Sequence, residues 1–414
     1  MIRRALTNTG WLMGARGINA VLSLVYLAIA TRELGPERFG IFVIAFTFAQ
    51  LVVGFCSFQT WQAIIRWGQD SDDRKTATGF ALALDSLTIV VGAILAALVL
   101  FNFHGVLLLP DKMVVPTYLF TLASLVSIRS TPTGLLRLHD RYDRAAIADA
   151  TTSIIRVVGA VIVVFVKPSI QSFLIVWGTA EVATAAIYWW LAARTEPIHW
   201  RRFSLTRLPR EQSRDGETAW SFVAGTSLTA MLTIASRQLM VLLVGVLGGA
   251  ALAGIYRVAA QLGEGLLKLA QALLRSVYPE LVRQPDKARE LAGRITRIAI
   301  FTGIAVVMLA MLAGEWVILA IAGSAFLAAY WPMILLSAAA ALELAGASLE
   351  ALLVARGKAI LNFALRAAPT AAALLALPWL VGNFGAAGAA MAVLIASALS
   401  VTGFVLANRA VRKN

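Results

Sequence analysis

Cysteine occurs once in this 414-residue chain, at Cys56, and histidine three times, at His104, His139 and His199. One cysteine forms no intramolecular disulfide, and in its apolar segment it reads as an inert packing residue. The histidines are scattered over different loops or interfaces, so no metal-ligand spacing arises and no metal is expected. No Gly-rich phosphate loop is present, which argues against ATP as an energy source and leaves the chain without an expected cofactor. Acidic residues are sparse, 22 against 36 basic. The acidic run Asp70-Ser-Asp72-Asp73 resembles a metal motif of sugar transferases, but beside Arg74 and Lys75 it reads as a solvated charge cluster. Long polar stretches are missing too. The longest connection, about 193–217, leaves little room for a soluble domain or for the large outer loop of a sugar polymerase or ligase. No catalytic residues are assigned, and the chain is not read as an enzyme.

What is present is apolar. Hydrophobic residues make up 59% and charged residues 14% of the chain, with mean hydropathy +0.79, the composition of an all-α polytopic membrane protein. Apolar runs predict about 12 transmembrane helices, at 9–30, 40–62, 77–103, 113–134, 145–166, 170–192, 218–246, 250–278, 295–322, 327–353, 359–380 and 385–408. The run from Trp11 to Ala30 follows Arg3-Arg4 like a signal peptide, but contains Arg16, is long enough to span and lacks a small-residue cleavage motif. It reads as an uncleaved first helix.

The basic residues test this map. With both termini cytoplasmic, inside segments hold 26 of the 36 Lys and Arg, outside loops hold 4 (Arg32, Arg38, Lys112 and Lys167), and six fall within spans. That asymmetry is the positive-inside signature. The net charge of +14 is therefore a topology signal, and nucleic acid is not an expected partner.

The basic connection 193–217 divides the chain into an N-terminal six-helix lobe, 1–192, and a C-terminal one, 218–414. Leu34-Gly-Pro-Glu-Arg-Phe-Gly-Ile-Phe42 precedes helix 2, and Leu247-Gly-Gly-Ala-Ala-Leu-Ala-Gly-Ile-Tyr256 precedes helix 8. Each reads Leu-Gly, a short spacer, then Gly-Ile-aromatic. Six helices separate the copies, which implies a parallel repeat about an axis near the membrane normal.

One helix carries a charged stripe. Arg257, Gln261, Glu264, Lys268, Gln271 and Arg275 are spaced by 4, 3, 4, 3 and 4 residues, which sets all six within about 40° of one face. The opposite face carries Ile255, Val258, Leu262, Leu266, Leu269, Leu273 and Val277. One charge at the bilayer centre costs about 2.5–3.5 kcal/mol even on the insertion scale. The stripe must face protein or water, and such residues usually mark a substrate or ion pathway. Helix 1 adds Arg16, Asn19 and Ser23 on one face, and helix 7 adds Thr226, Thr233 and Arg237. Helix 2, aligned through the repeat, adds Thr47, Gln50 and Ser57. Arg16, Arg237, Arg257 and Lys268 are the candidate diphosphate contacts, since a guanidinium fork matches phosphate oxygens. Asn19, Ser23, Thr47, Gln50, Ser57, Thr233, Gln261, Glu264 and Gln271 are candidate polar linings, suited to sugar hydroxyls. The competing reading is structural: Glu264 and Lys268 stand at i, i+4 and neutralise each other.

Acids also lie in spans. Asp149 and Arg156 share a helix face and read as a structural pair. Glu343 and Glu350 share a face near Arg366, where they bind a coupling H+ or Na+ or simply pair with the arginine.

Leu34-Gly-Pro-Glu-Arg-Phe-Gly40, Leu247 to Tyr256 with Arg257-Val-Ala-Ala260, and Val381-Gly-Asn-Phe-Gly-Ala-Ala-Gly-Ala-Ala390 together resemble the polysaccharide transporter branch of the multidrug/oligosaccharidyl-lipid/polysaccharide exporter superfamily. The resemblance implies a MATE-like pair of six-helix lobes around a cationic cavity. It also implies a Wzx-type flippase of the bacterial inner membrane, moving a polyprenyl-diphosphate-linked oligosaccharide among membrane lipids. Polymerase or chain-length proteins of a polysaccharide pathway would be its partners. A cation-coupled drug exporter of the same superfamily is the alternative, though it favours an acidic, aromatic cavity. A membrane glycosyltransferase or polymerase, or a non-transporting scaffold, stands further off.

Overall fold

A computed structural model describes the backbone of residues 2–198, 202–206, 219–282, 288–355 and 359–410, and the side chains of somewhat fewer. The elements are α1 (Ile2–Cys56), α2 (Thr60–Trp67), α3 (Ser71–Phe103), α4 (Asp111–Val126), α5 (Ser130–Leu138), α6 (Tyr142–Val166), α7 (Ile170–Thr195), α8 (Ala219–Val282), α9 (Ala288–Ile321), a 3₁₀ turn (Ser324–Ala329), α10 (Tyr330–Ala355) and α11 (Ala359–Ala410). The described residues contain no strand. Lipid cannot hydrogen-bond a bare backbone, so a chain this apolar closes its own bonds as helix. Nine helical runs among the described residues are long and apolar enough to cross a membrane. Phe165 and Leu375 are 84% and 85% exposed, an outward apolar surface that suits lipid.

Three long helices turn at a glycine. Gly35 in α1 (φ 68°, ψ 173°) and Gly249 in α8 (φ 86°, ψ 169°) adopt nearly the same conformation, and Gly385 divides α11. Positive φ with extended ψ is a region that essentially only glycine occupies. Pro36 follows Gly35 at the first helical position, where its missing N–H costs nothing. Each of these two turns lies five residues before the Gly-Ile-aromatic triplet, at Gly40 and Gly254. The two repeats also touch reciprocally. A β-carbon on Gly40 would strike the Ala250 carbonyl, and one on Gly254 would come 2.8 Å from the Pro36 oxygen. The two Leu-Gly segments thus share one turn geometry.

Two predicted helices are interrupted. The run expected at 40–62 ends at Cys56 and resumes at Thr60, and the run expected at 113–134 ends at Val126 and resumes at Ser130. A serine closes each first segment: Ser57 Oγ donates to the Val53 oxygen (2.5 Å) and Ser127 Oγ to the Ala123 oxygen (2.5 Å). Side-chain bonds of this kind compete with the helical ladder.

By contacts the chain forms two compact units. Unit 1 is Met1–Leu34 with Ile41–Leu243, and unit 2 is Gly35–Gly40 with Val244–Asn414. The first part of α8 packs within unit 1. There Trp220 meets Phe80 edge-on at 5.2 Å, Phe222 meets Trp67 at 5.3 Å, and the Gln59 N–H donates to Ser227 Oγ at 3.0 Å. In unit 1, Ile64, Ala81, Leu135, Leu136, Ala148 and Tyr188 build a buried core where α2, α3, α5, α6 and α7 meet. In unit 2, α10 packs against both α9 and α11, and Phe39 packs edge-on against Phe326 at 5.8 Å.

Candidate functional site

The charged stripe begins eight residues beyond the Gly249 turn. Arg257 and Gln261 are half-buried, between the buried Tyr256, Val258, Ala259 and Leu262. Both make interactions within the protein. The side chains of Glu264, Lys268, Gln271 and Arg275, and those of Arg16, Thr233 and Arg237, lie outside the described residues. On α1, Asn19 is half-buried and its Oδ1 has no hydrogen-bond partner among the described residues. Thr47 Oγ1 is in the same state on a fully buried side chain. Buried polar atoms without partners are rare. Ser23 and Ser57 donate to the backbone of their own helix, as does Thr226. Gln50 is half-buried.

Unit 1 contains an ion network that the sequence pattern did not indicate. Glu181 on α7 accepts Arg129 at 3.0 Å and Arg156 at 2.7 Å. Arg156 is 9% exposed and stands over the rings of Tyr26, Phe46 and Trp177 at 5.7, 5.7 and 5.3 Å. Desolvated cation–π contacts of this kind are each worth about 1–2 kcal/mol. The expected Asp149–Arg156 pair is corrected. Asp149 instead accepts the Tyr188 hydroxyl at 2.8 Å, because α7 presents Glu181 to the arginine from across the helix interface. A seven-residue spacing shows that two groups share a face but says nothing of a closer partner on the next helix. Replacing Glu181 by Gln leaves two guanidiniums without their carboxylate. Breaking a buried pair from one side costs about 3–5 kcal/mol, and a thermal melt of purified E181Q checks it, with a lowered midpoint expected.

In unit 2 the expected acids meet their arginine. Arg366 lies 3.1 Å from Glu350 and 3.7 Å from Glu343. Asn362 donates to Glu350 at 3.3 Å and Ser397 to Glu343 at 3.1 Å. Two carboxylates on one guanidinium leave a formal charge of −1.

At another edge of unit 1, Glu196 accepts His139 and Arg74, each at 2.7 Å. Burial pushes the Glu196 carboxyl up, but the bonds from His139 and Arg74 outweigh it and hold it below the usual glutamate range. A depressed folded value gives stability that is full above the unfolded value of about 4.3 and is lost as pH falls through the folded one. The expected result is an acid-side decline in melting midpoint that is shallower in Glu196→Gln than in wild type.

The acidic run reads as a helix cap. Asp70 accepts the Asp72 N–H at 3.1 Å and opens α3, and Asp72 pairs with Arg202 at 3.1 Å. No group of three metal-ligating side chains occurs among the described residues.

The sequence profile of a family described as polysaccharide biosynthesis protein matches residues 5–284. The chain belongs to this family. A relative, the inner membrane protein YghQ of Escherichia coli (strain K12), is 30% identical over 345 residues, covering 79% of this chain and 95% of YghQ. This family member is therefore a multi-pass bacterial inner-membrane protein. Among solved structures it is similar to an inward-facing multidrug resistance MATE family transporter of the MOP superfamily (TM-score 0.69, 16% identity, 95% of each chain). It is also similar to the lipid II flippase MurJ in an inward closed conformation (TM-score 0.72, 12% identity, 96% of this chain and 87% of the other). The fold is the exporter fold of that superfamily.

Proposed function

We propose that this chain is a flippase that moves a polyprenyl-diphosphate-linked oligosaccharide, a repeat unit of O-antigen, capsule or exopolysaccharide, across the inner membrane. The observation that carries the reading is Arg257, half-buried on the helix that follows the Gly249 turn, in a member of a polysaccharide biosynthesis family. The architecture proposed is twelve spans with both ends cytoplasmic, in six-helix lobes 1–192 and 218–414. A diphosphate cannot cross hydrocarbon unaided, because each charge must be stripped of water. Arg257, with Arg16, Arg237 and Lys268, would replace that water with guanidinium and ammonium donors. Asn19, Gln50 and Gln261 offer amides to the sugars, and the lipid tail stays in the bilayer. The two lobes alternate access to the site. The Glu343–Arg366–Glu350 group, with its spare negative charge, is the proposed place for a coupling H+ or Na+.

Mass spectrometry of lipid-linked sugars in cells depleted of the protein tests this. A complete repeat unit on a polyprenyl diphosphate accumulates if the reading is right. A truncated sugar instead points to a missing synthetic step and overturns it.

A further inference from the structure

Asp85 sits where the two interrupted helices of unit 1 meet. From α3 its Oδ1 accepts Thr60 Oγ1 at 3.0 Å, and its Oδ2 accepts Thr131 Oγ1 at 2.7 Å and the Thr131 N–H at 3.1 Å. Asp85 is 5% exposed, and Thr60 and Thr131 are fully buried. Thr60 is the first residue of α2 and Thr131 the second of α5. The residues that precede these helices, Gln59 and Arg129, give no side-chain cap. One carboxylate therefore serves the N-terminal turns of two helices, the ends where orphan N–H groups and the positive end of the helix dipole favour an anion. The same crossing is stitched by the Trp61 N–H to Ser130 Oγ (3.1 Å) and by Thr88 Oγ1 to the Cys56 oxygen (2.8 Å).

We propose that Asp85 is a proton-binding site that locks the breaks at 57–59 and 127–129 together when ionised and releases them when protonated. All three of its donors are neutral, and no ion pair of Asp85 occurs among the described residues. Six charged or titratable groups on or beside the elements packed around it are engaged elsewhere, while Asp73 and Lys75 stand at the opposite end of this stretch of α3, near its start. Arg66 on α2 lies over Trp67 and Phe222. Arg137 on α5 lies over Trp61, and Arg129 pairs with Glu181. Tyr188 donates to Asp149. At the start of α3, Asp72 pairs with Arg202 and Arg74 with Glu196. A proton is the ligand small enough for so closed a site. It puts an O–H where an acceptor stood, turns one hydrogen bond round and removes the charge that made the others about twice as strong as neutral ones. The two short helices then lose the group that ties their first turns together.

Hydrogen–deuterium exchange of the full-length protein in lipid nanodiscs tests this without any transport assay, so it stands or falls apart from the flippase reading. In wild type, peptides covering 56–62 and 126–134 exchange at least about tenfold faster at about pH 5 than at about pH 8 after correction for intrinsic rates. Asp85→Asn exchanges fast at both. An infrared carbonyl band of a protonated carboxyl appears at low pH in wild type and is missing from D85N. Exchange that is independent of pH in wild type overturns the proposal whatever the variant does, and would make Asp85 a fixed-charge cap. Protection retained in D85N at both pH values also overturns it.

Discussion

Arg257→Glu stops transport while the protein remains inserted and folded. A hydrogen bond from a charged group contributes about 1.5–3 kcal/mol, and each 1.4 kcal/mol is about tenfold. Arg257→Gln therefore lowers flipping by about 10- to 100-fold, and Arg257→Lys by less, since an ammonium keeps the charge but loses the fork. Glutamate adds repulsion toward the diphosphate and exceeds the 100-fold mark. Arg257 is half-buried and makes interactions within the protein, so folding is measured beside transport for each variant. Complementation of a depleted strain, normalised to membrane abundance and to a monodisperse chromatographic profile, measures the effect. Activity within a few-fold of wild type in a well-inserted R257E would remove Arg257 from the site.

Gly40→Val prevents the chain from folding stably. Its β-carbon would fall within bonding distance of the Ala250 carbonyl, and the obstacle is backbone, not the end of a flexible side chain. Relief requires the Gly35 and Gly249 turns to separate, and these are the crossing on which Gly254 closes from the other side. Overpacking a rigid core costs about 1–3 kcal/mol or more, and here two further methyls follow the first carbon. The expected outcome is aggregation on detergent extraction, or a melting midpoint lowered well beyond that of Gly225→Ala. The latter is an apt control, because nothing lies within 4 Å of a β-carbon there and alanine favours helix over glycine by about 1 kcal/mol. A Gly40→Val protein as stable as that control would contradict the reciprocal crossing.

Much of the fold was written in local chemistry. Apolar runs long enough to span marked the helices, and the Leu-Gly motifs read before helices 2 and 8 prove to hold the turns at Gly35 and Gly249, a backbone that few other residues accept. Glu343, Glu350 and Arg366 could be grouped because adjacent helices are brought together by a short connection. The breaks at 57–59 and 127–129 were missed because the helical runs were carried straight through the short polar stretches Ser57-Phe-Gln-Thr60 and Ser127-Ile-Arg-Ser-Thr131. A signal was available in Arg129-Ser-Thr-Pro132: proline within the first turn of α5 marks a helix start, where its missing N–H is no loss. At 57–59 the only mark is the polar cluster Ser57-Phe-Gln59-Thr-Trp-Gln62, which lacks a proline. Glu181 reaches Arg156 across 25 residues, and Asp85 reaches Thr131 across 46. Partners so chosen depend on which faces tertiary packing opposes, and no periodicity within one helix records that.

The most direct measurement of the central claim uses purified protein in sealed proteoliposomes loaded with a polyprenyl-diphosphate-linked repeat unit. An impermeant glycosidase reports how fast the sugar held in the inner leaflet becomes accessible outside. Wild-type protein should raise this rate well above that of protein-free vesicles, and Arg257→Glu should return it to that background. If wild type is no faster than empty vesicles, or if R257E matches wild type, the account of a cationic flippase is wrong.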